Sequence, residues 1–155
     1  MDIEFSAAID SVKVKVNNAG GHVIRTCEMK FSRAFDDMIA AGLRGEARHA
    51  LEALRSHGME QVVLPLDAVS AQGTLVGGND SRVIVPHMIG VKATCKANDI
   101  SPPSIELTFS ALWSEDVWVF LGRYAGAYVE ITLTERQLSM PLTTPTEAKG
   151  GGGRA

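Results

Sequence analysis

The chain has only two cysteines among its 155 residues. Cys27 and Cys95 each sit inside an alternating apolar run, without a second thiol or a histidine at ligand spacing. That pattern points away from a disulfide framework and from a thiolate metal site, and both read as small buried residues. A dominant charge is missing too: the net charge is −3 and the isoelectric point near 5.8, so no global field draws the chain to nucleic acid or anionic lipid. Any such binding has to come from a local patch. No run approaches the roughly 18 apolar residues that span a bilayer. The first residues, Met1 to Asp10, carry two acids within four positions and no basic start, unlike a secretory leader. The expectation is a cytoplasmic protein with no membrane partner, of a bacterium or one of its mobile elements such as a phage.

What is present suits one globular unit. Hydrophobic residues make up 45% and charged residues 21%, enough to bury a core without staples. Residues 1–142 are expected to form a single α+β domain. The small, polar, glycine-rich stretch 143–155 has nothing to bury and reads as a flexible C-terminal tail.

Val12, Val14 and Val16 alternate with Ser11, Lys13 and Lys15, the period of a half-buried strand. Asn17 to Gly21 make a hairpin turn, and Cys27, Met29 and Phe31 continue the apolar face on the return. A long helix then spans Ser32, as its cap, to His57, with Phe35, Met38, Ile39, Ala47, Ala50, Leu51 and Leu54 on one face. Gly42 and Gly45 invite a kink or a break in it. β character returns over 62–76 and is interrupted by Pro65; a second hairpin turn falls at Gly77 to Asp80, and a strand bent by Pro86 and Gly90 follows. Ile105, Leu107, Phe109 and Ala111 alternate cleanly. Ser114, Glu115 and Asp116 cap a short helix, and Val129, Ile131 and Leu133 mark the last strand. The expected fold is α+β: a mixed or mainly antiparallel sheet built from hairpins, with one long and one short helix packed on it.

Catalytic constellations are missing. No nucleophile elbow occurs, the four histidines His22, His49, His57 and His87 are scattered, and Gly77 to Ser81 lacks the lysine and second glycine of a phosphate loop. No catalytic residue, cofactor or metal is assigned, and a binding protein is expected rather than an enzyme. Acting as an enzyme would require His, Asp and Glu side chains from distant strands to converge in one pocket.

Two features bear on binding. Lys13, Lys15, Lys30, Lys92 and Lys96 decorate three strand patterns. If they share a sheet face, they form a strip for phosphates, although without the interleaved aromatics that base stacking uses; lysines on solvent faces also simply block edge-to-edge aggregation. The second is the hexapeptide Gln137, Leu138, Ser139, Met140, Pro141 and Leu142. It resembles the short motif by which bacterial replication and repair proteins dock on the DNA polymerase sliding clamp, departing from one variant only at Met140, where that family has leucine. The resemblance implies a clamp-docking accessory protein of DNA replication, repair or recombination, with the glutamine amide at a pocket rim and the apolar residues in a cleft. The same residues also fit an extension of the last strand, with Leu138 and Met140 packed inward and Pro141 ending it. In that case a structural or oligomerisation module, such as a phage assembly component, is the alternative.

Overall fold

The computed structural model describes residues 2–43, 45–56, 58–66, 69–98 and 102–135. Its strands are β1 (Asp2–Ala19), β2 (His22–Ala34), β3 (Gln61–Pro65), β4 (Ser70–Val76), β5 (Arg82–Lys96), β6 (Ser104–Leu112) and β7 (Tyr128–Glu135). Its helices are α1 (Asp37–Leu43), α2 (Ala47–Ser56) and α3 (Glu115–Arg123), with one 3-10 turn at Gly78–Asp80.

The strands do not form an open layer. Going round, β1 pairs β2, β2 pairs β6, β6 pairs β5, β5 pairs β4, β4 pairs β7 and β7 returns to β1, all antiparallel. The result is a closed six-stranded barrel, with β3 added outside the ring on β5. An α+β sheet carrying one long and one short helix is therefore not what forms. The described residues are mostly sheet, and the three helices among them are short.

Two long strands make closure possible. Asp2 to Ala8 of β1 pair with β7, and Ala8 to Ala19 pair with β2. β5 repeats the device: Arg82 to Ile89 pair with β4, and Ile89 to Lys96 pair with β6. Each strand bends near its exchange point: the register slips between Ile9 and Ser11 in β1, and twice in β5, between Val85 and Met88 against β4 and between Gly90 and Lys92 against β6. Such bulges turn a strand sharply and restart its alternation one residue out of phase. Thus Phe5, Ala7 and Ile9 point inward, whereas beyond Asp10 the even-numbered valines take over that side. Gly90 also serves close packing: a Cβ there would lie 2.2 Å from the Leu66 carbonyl oxygen, while its own N–H donates to the Val69 oxygen at 2.9 Å.

A six-stranded barrel has room inside for side chains alone. Met29, Phe31, Leu75, Met88, Leu107 and Phe109 are among those that fill it, with the Phe31 and Phe109 rings tilted at a centroid distance of 6.3 Å. Cys27 and Cys95 are buried as well, which pushes the Cys27 thiol upward and the Cys95 thiol to about 11; neither offers a thiolate near neutral pH.

The expected long helix is two helices broken at Gly45, whose φ is +56°. Ser32 lies within β2, and the cap is Asp36, whose carboxylate accepts the Ile39 N–H at 3.1 Å and also binds Arg33 at 2.9 Å. Ile39, Ala47, Ala50, Leu51 and Leu54 are buried, but Met38 is exposed. These helices cover the mouth near Ile3 and β3. α3, capped by Ser114 as its sequence implies, covers the mouth where Ile9 meets Ala125 and Ala127.

Gly90→Ala is expected to destabilise the chain by about 2 kcal/mol, since the intruding methyl meets backbone that cannot move aside. Thermal melts followed by circular dichroism should fall by about 4–8 °C. An unchanged melting temperature would show that the β5 bend tolerates a side chain.

Candidate nucleic-acid interface

The ladder registers decide whether the five strand lysines meet. Residues paired across an antiparallel ladder share a face. Ser11 pairs Lys30, Lys30 pairs Thr108 and Thr108 pairs Lys92, so one row crosses β1, β2, β6 and β5. In the next row Lys13 pairs Glu28, and Glu28 pairs Ser110. Lys15 follows opposite Thr26, and Lys96 lies on the same face opposite Ser104. Since the neighbours Cys27, Met29, Leu107, Phe109, Ala93 and Cys95 fill the interior, all five lysines stand on one outer face. With strands about 4.8 Å apart, that face is about 14 Å wide from β1 to β5.

It is not uniformly positive. Lys15 Nζ sits 3.0 Å from Glu28, and that hydrogen bond, helped by the charges of Lys15, Lys13 and Lys30, holds the Glu28 carboxyl below its ordinary range. Asp10, on the β1 bulge, reaches Glu106 of β6. The hydrogen bond between these carboxyls, with burial, raises Glu106 above the usual glutamate range against the opposing pull of Lys30 and Lys96. The two carboxyls line a hollow of about 170 Å³ with Ser32, Thr94, Lys96 and Ser104.

Thr108 stands out at the centre. It is only 1% exposed although it faces outward, and its Oγ1 has no hydrogen-bond partner among the described residues. Its same-face neighbours are Lys30 and Lys92 at the sides and Glu106 and Ser110 along β6. A buried hydroxyl without a partner costs about 1–3 kcal/mol.

No family model, curated protein or solved structure matches this chain. Its chemistry has to be read from its own residues. Among those described, no cluster of His, Cys, Asp and Glu suits a metal, and no helix is long and apolar enough to cross a membrane. The residues Gln137, Leu138, Ser139, Met140, Pro141 and Leu142 lie outside the described part, as does the stretch 143–155.

Thr108 and the Asp10–Glu106 pair carry no sequence signal, since both arise from register across strands distant in the chain. Trp113 is half-buried under the Arg25 guanidinium, 5.6 Å from the ring centroid, and Trp118 is 39% exposed. A cleft of about 1020 Å³, lined by none of the five lysines, lies between α3 and the first half of β5.

A raised carboxyl means that the folded chain holds this proton more tightly than the unfolded one. That contribution is therefore full below the ordinary glutamate range and is lost as pH rises through the raised value. Glu106→Gln, which keeps a hydrogen-bonding group but cannot ionise, is expected to flatten that part of the stability curve and to melt higher than the parent at neutral pH. Melts between about pH 4 and about pH 8 read this directly; parallel curves for the two proteins would refute the coupling with Asp10.

Proposed function

We propose that the chain is a non-catalytic accessory protein of DNA replication, repair or recombination, encoded by a bacterium or phage. In this reading the outer face of the barrel meets duplex DNA, and residues 137–142 dock on the bacterial sliding clamp. The convergence of Lys13, Lys15, Lys30, Lys92 and Lys96 on one face carries the DNA part. Duplex DNA presents one negative charge per about 1.7 Å of axis, so a face about 14 Å wide spans several phosphates. Ser32, Thr94 and Ser110 add half-buried hydroxyl groups to it. No aromatic residue stands among these positions, which favours contact with the phosphate backbone over stacking on unpaired bases. The clamp part rests on the resemblance of the hexapeptide and on its place directly after β7.

A structural or oligomerisation module is the second reading. It is favoured by the end of the β1–β2 hairpin, which runs past the last β6 pairing at Thr26 and leaves Val16 at 59% and Val23 at 64% exposure. A defined large ring or shell in light scattering would favour it over the first.

Binding of a short labelled duplex, followed by fluorescence anisotropy, should weaken linearly on a logarithmic salt scale, with a slope of about −4 for the lysines left after Lys15 pairs with Glu28. Lys30→Ala and Lys92→Ala should each make the slope shallower by about 1. Salt-independent binding, or lysine variants that behave as the parent, would overturn the DNA part. Separately, a peptide covering 134–145 should bind a bacterial clamp at about micromolar Kd in calorimetry. The full chain carrying Gln137→Ala and Leu138→Ala should lose clamp binding, and retention would overturn the clamp part.

A further inference from the structure

The start of β5 has a strand on one side only among the described residues. Arg82 to Met88 pair with β4 on one side, while β6 joins on the other side only from Ile89 onward. Residues of an antiparallel strand turn their backbone groups alternately toward and away from the partner. The Gly77 N–H donates to the Ser81 oxygen at 2.7 Å, which sets the phase. Val83 and Val85 therefore bond to β4, and Arg82 and Ile84 turn their N–H and C=O away from it. Among the described residues no strand meets them there.

α3 lies along this open edge, and the cleft of about 1020 Å³ runs between the two. They point in opposite directions. Tyr124, just past the end of α3, donates its hydroxyl to the Gly78 oxygen at 3.0 Å beside the start of β5, while Ser114, at the start of α3, adjoins Pro86 and His87. Arg82 and Arg123 thus stand at one end of the cleft, and Glu115 and Asp116 at the other. Between them lie Ile84 and Val119, exposed at 52% and 48%. None of the four charged residues makes an ion pair among the described residues.

We infer that this cleft binds an extended segment of a partner protein, added to β5 as an antiparallel strand. The segment carries a basic residue first, beside Glu115 and Asp116, then apolar β-branched residues over Ile84 and Val119, then an acidic residue between Arg82 and Arg123. Four backbone hydrogen bonds, two each at Arg82 and Ile84, supply affinity, and the opposed charges set direction. The site is separate from the lysine face and stands whether or not that face binds DNA.

Two synthetic peptides test this with the full chain. One has lysine first, three β-branched residues and glutamate last; the other has the two charges exchanged. In amide NMR titrations the first should shift the Arg82 and Ile84 N–H signals saturably and leave Val83 and Val85 nearly still, and the second should bind at least about tenfold more weakly. Replacing both exposed arginines, Arg82→Glu with Arg123→Glu, should weaken the first peptide by at least about tenfold. Ile84→Pro removes the outward donor without touching the β4 ladder and should abolish its binding; if that variant fails to fold, the arginine variant decides alone. Equal binding of both peptides, no saturable shift, or a doubled mass in light scattering that the arginine variant abolishes would overturn the proposal.

Discussion

The structure depends on two strands that each serve two neighbours in turn. An antiparallel sheet of this size has two edges that would otherwise invite pairing with other chains, and closing the ring removes most of that exposure. Closure demands sharp bends in the two longest strands, and the chain supplies them with one extra residue at Asp10 and another beside Gly90. Each insertion costs a ladder position, but it re-aims the rest of the strand so that both halves keep an apolar side inward. Without those bends β1 would extend past β7 and the interior row through Phe31 and Phe109 would face water.

Both candidate surfaces follow from this exchange. Once β1 has crossed from β7 to β2 and β5 from β4 to β6, the second halves of these strands flank β2 and β6, bringing lysines distant in sequence into adjacent rows. On the side that β5 has left, its backbone is open and α3 takes the place a strand would have had. One surface presents ammonium groups and hydroxyls, and the other presents unpaired peptide groups between charges of opposite sign. They suit different ligands: a phosphate backbone needs charge density, whereas an extended peptide needs backbone donors and acceptors in register.

Thr108 and Glu106 both carry a cost on the lysine face. A buried hydroxyl without a partner and a carboxyl raised by a neighbouring acid and by burial are each unfavourable for folding alone. The opposing acids also limit the attraction, in keeping with the modest acidity of the whole chain.

Much of the local structure was legible along the chain. Alternation in Ile105 to Ala111 marked β6, Ser114 marked the start of α3, and the glycines at 20 and 21 marked the first turn, because strand pleat, helix capping and positive φ are decided within a few residues. The break between α1 and α2 was visible in Gly45, but Asp36 displaced Ser32 as the cap because β2 continues through Ser32 to reach β6. Alternation says that a strand has one wet and one dry face. It does not say whether the dry faces of a sheet meet a layer of helices or each other. That choice rests on β1 with β7 and β4 with β7, pairings between segments far apart in sequence whose register no local pattern records. The amino-acid sequence by itself therefore determined which segments alternate, where the chain turns and which side chains are charged. Only the tertiary structure decided that five lysines share one face, that Asp10 meets Glu106 and that Arg82 and Ile84 have a strand on one side only among the described residues, because closure of the ring sets all three.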